Sequence, residues 1–229
     1  MGNKPVSLAA SDGVKVRRRR VPKQERSIES RAKAIQGAKA ALERYGYTRL
    51  TMRNVAAESE VGIGTIYDYF PSKHAMLRQL LKERLALRLE IFDETYGAMT
   101  PDIPVSTFID RYLDRVRAEG LWSKFDVELH RAAEDDEEMQ SLIDWHDQET
   151  IDRYVGALRA AGSKWPIRDL EPVASYLIAI SAQFEPGVVA PIDSHAQRVT
   201  SWMIRRTFLM LVRETLTKPA RSWTKDKRT

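Results

Sequence analysis

From Ile28 to Met210 the apolar residues recur at steps of three and four, and no segment alternates convincingly between apolar and polar side chains. That period belongs to helices packed by one face. Ile28, Ala32, Ile35, Ala38, Leu42 and Tyr45 form the first such face, and Gly46 follows in a C-terminal stop position. Thr51 then stands as N-cap of a short helix through Met52, Val55 and Ala56. A third helix runs from near Gly62 to Phe70, where Pro71 cannot continue it. Ser72 caps a long helix with Met76, Leu80, Leu81, Leu85, Leu89 and Phe92 on its buried stripe, lasting to about Tyr96. Further helical stretches cover about 104 to 118, 121 to 133, 136 to 161, 169 to 184 and 194 to 217, parted by Gly, Pro and Asp clusters. The expected class is all-α, with about nine helices.

Composition narrows what such a chain does. Hydrophobic residues make up 43% and charged residues 30% of the 229, the balance of a globular protein. The longest strongly apolar runs, Tyr176 to Ile180 and Thr207 to Val212, fall far short of the roughly 20 residues a membrane helix needs. The N-terminus carries its charge after its mildly apolar part, the reverse of a secretory signal, and Val6 stands where a myristoylation pattern wants Ser or Thr. With no cysteine there is no disulfide, thiolate metal site or cysteine nucleophile. The expectation is cytoplasmic. Charge is unevenly placed: residues 1 to 75 hold 15 Lys and Arg against 7 Asp and Glu, while the remainder holds 22 against 25. A basic head on a near-neutral body points to a polyanion partner. The layout is a flexible basic arm at 1–24, a head at 25–71, a body at 72–218 and a polar tail at 219–229.

The stretch VGIGTIYDYFPSK, residues 61 to 73, contains G-x-G. A dinucleotide loop needs a third glycine, a preceding strand and a later acidic residue, and a Walker loop needs its lysine to close the glycine run; both are missing here. Two short helices joined by a tight turn over residues 51 to 70 instead have helix-turn-helix geometry, whose second helix enters the major groove. Ile66 and Phe70, four apart, would pack inward with Val61. Gly64, Thr65 and Asp68, flanked by Ile63, Tyr67 and Tyr69, would face out. Glycine permits close approach, hydroxyls bond phosphates or base edges, and a helix N-terminus favours anions.

The run from Ile35 to Leu77, with Y-G-Y-x-x-L-T-M-x-x-V-A followed by V-G-I-G-T-I-Y-D-Y-F-P-S-K-H-A-M-L, resembles the DNA-binding domain of the tetracycline-repressor (TetR) family of bacterial transcription regulators. The resemblance implies that Thr51 caps and touches phosphate. It further implies that Ile63, Gly64, Thr65, Tyr67, Asp68 and Tyr69 occupy DNA-contacting positions, and that Lys73 meets a phosphate. Departures from the pattern are Glu60 in place of a turn glycine, Gly62 in place of a capping Ser or Thr, and Tyr69 in place of a common histidine. Ile63 is assigned to thymine methyls; Asp68 either accepts from cytosine N4 or pairs with Arg53. Arg17, Arg18, Arg19 and Arg20 suit an arm in the minor groove or along phosphates.

The resemblance also implies a palindromic double-stranded DNA operator, a homodimer, and a repressor released by an apolar or aromatic small-molecule effector. The dimer interface is expected on the last two helices, through Ala174, Leu177, Ile178, Ser181, Val199, Trp202, Met203, Thr207 and Met210. Trp122, Phe125, Trp145, Tyr176 and Phe184 are the expected pocket lining. His130, Glu134, His146 and Asp147 lack a second supporting pattern for a metal, and neither a cofactor site nor a catalytic constellation stands out, so no enzyme is expected. The alternative is a DNA-bound protein that recruits another protein and senses no effector.

Overall fold

The computed structural model describes residues 23–121, 123–181 and 195–219, and among them the fold is all-helical, with nine helices and no strand. The helices are α1 (Lys23–Arg49), α2 (Met52–Ser59), α3 (Ile63–Tyr69), α4 (Lys73–Tyr96), α5 (Val105–Ala118), α6 (Lys124–Glu134), α7 (Glu137–Ala160), α8 (Ile167–Ser181) and α9 (His195–Thr217). Residues 1–22, including Arg17 to Arg20, and residues 182–194, with Phe184, lie outside the described residues, as does Trp122. No described helix is long and apolar enough to cross a membrane.

Local chemistry sets most of the boundaries. Thr51 begins α2 through a capping box: its hydroxyl oxygen accepts from the Asn54 N–H, and its own N–H donates to Asn54 Oδ1. Ser72 accepts from the Ala75 N–H to start α4, and Asp136 accepts from Glu138 and Met139 to start α7. α6 begins at Lys124, three residues beyond the sequence expectation, because Ser123 and Asp126 form a second capping box. Gly46 does break α1, at φ 69° and ψ 165°, yet a further turn follows to Arg49.

Two large apolar clusters and a small third one, Ile91, Val116 and Leu121, form the core of the described residues. The first joins Ala34, Ala38 and Leu42 of α1, Val55 and Ile66 of the short helices and Phe70 just past α3 to Leu77, Leu81 and Leu85 of α4. It continues into Phe125 and Leu129 of α6 and Met139 of α7, so packing runs on through the expected boundary at residue 71. The second is aromatic: Phe92, Tyr96, Phe108, Tyr154 and Phe208 lie together, with ring centroids 4.5 Å apart for Phe92 and Tyr96 and 4.7 Å for Phe92 and Tyr154. Burial pushes the hydroxyls of Tyr96 and Tyr112 above the ordinary tyrosine range, and both stay neutral.

Candidate nucleic-acid interface

α1 and α2 touch backbone to backbone. A Cβ on Gly37 would fall 2.3 Å from Ser59 Cβ and 2.5 Å from the Ser59 nitrogen, so only glycine fits where α2 leaves for the turn. Glu60 makes that turn at φ 56° and ψ 24°, and it is the sole non-glycine residue with positive φ among those described. A side chain therefore occupies the left-handed conformation where a turn glycine is usual. Gly62 precedes α3 with no side-chain cap, as its lack of a hydroxyl dictates. α3 ends where the Phe70 N–H donates to the Ile66 carbonyl at 2.9 Å, ahead of Pro71.

The seven residues of α3 divide cleanly. Ile66 is fully buried, Phe70 beyond the helix is nearly so, and Val61 packs beside them. On the opposite side Ile63 is 41% exposed and Tyr67 50%, with Gly64 and Asp68 exposed between them. No atom of the chain lies within 4 Å of a Cβ built on Gly62 or Gly64, so neither glycine answers to packing inside the molecule. Asp68 makes no ion pair among the described residues, with Arg53 or any other. Thr65 and Tyr69 are half-buried, and Thr51 is exposed at the head of α2.

Two of the residues expected on DNA have partners within the chain. The Tyr69 hydroxyl donates to the Ser27 carbonyl at 2.9 Å and ties α3 to the beginning of α1. Lys73 Nζ rests 4.5 Å from the Tyr47 ring centre and 3.4 Å from the Tyr47 carbonyl oxygen. What remains outward is an apolar and aromatic surface with one carboxylate and two side-chain-free positions, on a helix held by its other face. A helix carried in this way can enter a major groove and present side chains to base edges.

Residues 34–80 match the family model for bacterial regulatory proteins of the tetR family. That segment is a DNA-binding unit of the tetR type. Solved structures extend the likeness of fold over the body. A TetR-family transcriptional regulator from Syntrophomonas wolfei superposes with a TM-score of 0.61 at 18% identity, over 84% of this chain and 99% of that one. A TetR-like regulator from Rhodococcus sp. RHA1 gives 0.60 at 17%, over 87% and 100%. The multidrug binding protein EbrR, complexed with imidazole, gives 0.56 at 18%, over 83% and 96%. A comparison with curated proteins finds no match. The match over residues 34–80 supports DNA-binding transcription regulation as the role of the chain.

In the body, the described members of the expected pocket lining, Phe125, Trp145 and Tyr176, lie in three different settings. Phe125 is buried in the first cluster, with the Arg84 guanidinium 5.6 Å from its ring centre, and Trp145 is half-exposed on α7. Tyr176 borders an open hollow of about 420 Å³ with Arg168, Asp169, Pro172, Val173 and Leu211. The expected interface also divides. Ala174 and Leu177 are fully buried in the second cluster, so they fill this chain's own core, while Ile178 is half-buried against it. Thr207 is half-buried; Trp202, Met203 and Met210 are each more than half exposed, and Val199 stands out beside them. Ser181 lies at the end of α8.

The residues missed in the sequence are the polar joints between helices. Asp126, almost wholly buried, accepts from Arg84 Nε and Nη2 at 2.7 and 2.8 Å and from Arg88 Nη2 at 3.3 Å. Burial alone would push this carboxyl up; the hydrogen bond from Arg84 and the charges of Arg88 and Arg84 more than reverse that and hold it below the usual carboxylate range. Glu128 accepts from the Tyr47 N–H at 2.8 Å and so ties α6 to the chain just past Gly46. Both carboxylate oxygens of Asp136 also accept from Arg78 Nε, at 3.0 Å each. A signal did exist for the first joint: Arg84 and Arg88 interrupt the stripe of Leu81, Leu85 and Leu89 at helical spacing.

Proposed function

We propose that the chain is a homodimeric repressor whose grip on a palindromic operator is loosened by a small molecule bound in the body. The observation that carries this reading is the first apolar cluster, continuous from Ile66 of α3 through α4 to Phe125 and Met139. A displacement of α4 or α6 cannot be absorbed inside close-packed aliphatic side chains, so it is passed to the reading helix. An effector acts by binding the DNA-incompetent arrangement more tightly. EbrR, a multidrug binding protein of this fold, supports a body that accommodates ligands.

On the DNA side, Ile63, Gly64, Tyr67 and Asp68 approach base edges, while Thr51 and Thr65 hold phosphates together with the donors of Lys73 left over from Tyr47. Tyr69 braces α3 on α1. Arg17 to Arg20 add counterion-releasing contacts. The second copy covers Val199, Trp202, Met203 and Met210 on α9 beside the Tyr176 hollow, because exposed aromatic and methionine side chains at this density mark an interface. A foreign protein partner is the rival occupant of that face. Sedimentation of the purified chain distinguishes them: a dimer is expected, and Met203→Asp should weaken dimerisation by roughly 30- to 1,000-fold, the range of a central contact. A wild-type monomer would reject the homodimer. Operator DNA selected from random sequence should be bound by the dimer and released by an effector; unchanged operator affinity with effector bound would reject the switch.

A further inference from the structure

α4 and α7 run side by side in the same direction. Arg78 pairs with Glu138 and Arg153 with Asp93, each across 60 positions, and this fixes the register. Arg88 therefore stands level with Gln148, within one turn of His146. α6 crosses at the same height, because Asp126 takes hydrogen bonds from both Arg84 and Arg88.

This level separates the two apolar clusters. On one side lie Leu85, Phe125 and Ile143; on the other lie Phe92, Ile151 and Tyr154. Arg84, Arg88, Asp126 and His146 thus form a buried polar layer across the middle of the body. Its charges do not balance, since two guanidinium groups face one carboxylate. Arg84 is partnered at every nitrogen: beyond Asp126 it donates to the carbonyls of Glu119 and Gly120. Arg88 is not.

Arg88 Nε and His146 Nε2 are the two buried side-chain nitrogens without a hydrogen-bond partner among the described residues. The His146 side chain is 9% exposed and that of Arg88 13%. Buried polar groups are nearly always paired, and an orphan on a cation is the costliest kind. Two such nitrogens, at one level of two helices that pack side by side, call for an acceptor. His146 Nδ1 already faces Asp147 Oδ1 at 3.2 Å, which leaves Nε2 as the ring atom open to a further partner. Arg84 and Arg88 would then balance Asp126 and one monoanion.

We infer that Arg88 and His146 receive the carboxylate of an amphipathic acid, whose apolar or aromatic part lies toward the second cluster. Phe92 shares a face with Arg88 at i, i+4, and Tyr154 shares one with His146 two turns on, so the aromatic rings begin where the polar layer ends. A dianion such as phosphate would leave the layer negative. The assignment rests on the reading of the chain as effector-responsive and names the effector's chemical class.

The test uses the full chain and two isosteric pairs, 1-naphthoate with 1-naphthamide and octanoate with octanamide, titrated by calorimetry. At least one acid should bind about tenfold or more tighter than its amide. Arg88→Gln and His146→Gln should each weaken the acid by about 10- to 100-fold, the loss of one charge-assisted hydrogen bond, with little effect on the amide. The exposed Arg111→Gln should change neither. Equal binding of acid and amide, binding of no acid, or full acid affinity in Arg88→Gln would each overturn the assignment. The wild-type acid-to-amide ratio decides it even where a variant folds poorly. Operator affinity in the same samples separates the two readings. Arg88-dependent acid binding that leaves the operator held keeps the site and rejects the effector role. An uncharged compound that releases the operator equally from wild type and Arg88→Gln does the reverse.

Discussion

The two apolar clusters are built from different side chains. The one that holds the reading helix is largely aliphatic, with alanines at 34, 38 and 41 drawing α1 close and leucines along α4 filling the space. The one in the outer body is aromatic, with Tyr96 and Tyr154 carrying hydroxyls into it. Small and branched side chains interdigitate at high density and leave few alternative packings. Rings are larger plates that stack in several ways and retain polar edges. The contrast teaches where rigidity and adaptability lie: the DNA-binding end moves as a block with α4 and α6, while the outer end has the surfaces on which a ligand can be sorted.

The buried joint between the clusters is the first place to break that contrast. Asp126→Asn removes the counter-charge of Arg84 and Arg88, and should cost about 3–5 kcal/mol at neutral pH, as loss of one partner from a buried ion pair does. The cost should depend on pH with a definite sign. Because the folded-state carboxyl lies below its ordinary value, its stabilisation is complete above the unfolded carboxylate pKa of about 3.9 and is lost as pH falls through the lower folded value. Urea midpoints of wild type and Asp126→Asn should therefore converge in acid. A gap that persists undiminished at low pH would mean that Asp126 acts by shape and not by charge.

Gly37→Ala tests the aliphatic end alone. Alanine is the better helix former by about 1 kcal/mol, yet its Cβ would meet the Ser59 backbone at 2.5–2.6 Å. A net loss of about 2–3 kcal/mol is expected from this overpacking. The near-ultraviolet signal of the tyrosines in the second cluster should stay unchanged. If that signal moved with the first cluster, the two would be one packing unit and the contrast between them would be lost.

How much of this was legible follows from sequence distance. Thr51, Ser72, Gly62 and Pro71 act on residues within four positions, so their caps and stops could be read directly, and Ile66 with Phe70 declared the buried side of α3. The joints lie far apart in sequence: Arg84 reaches Asp126 across 42 positions, Arg78 reaches Asp136 across 58, and Tyr47 reaches Glu128 across 81. No periodicity encodes such pairs. A stripe such as Ala174 and Leu177 states that a face is covered, not by which molecule, and here the chain covers it itself. Phe125 was ambiguous for a similar reason: an aromatic residue on a helix is equally good as pocket lining or as core, and the helix that starts at the Ser123 capping box carries it into the first cluster.

The smallest expected effect concerns the surface that neither cluster uses. Asp68 is exposed on α3, makes no ion pair among the described residues, and contributes nothing to packing, so Asp68→Ala should leave the unfolding midpoint within about 0.5 kcal/mol of wild type. On DNA it should act at one base pair. If the carboxylate accepts from a cytosine amino group, alanine relaxes the preference there by about 1–3 kcal/mol while leaving the other positions of the operator as they were. Affinity for the best wild-type operator should fall by less than that amount, because removing a carboxylate near phosphates offsets part of the lost hydrogen bond. Selection of operators by wild type and variant measures both quantities at once. A uniform change across all positions would make Asp68 a modulator of backbone attraction. An unchanged profile at every position would leave base discrimination on α3 to Ile63 and Tyr67.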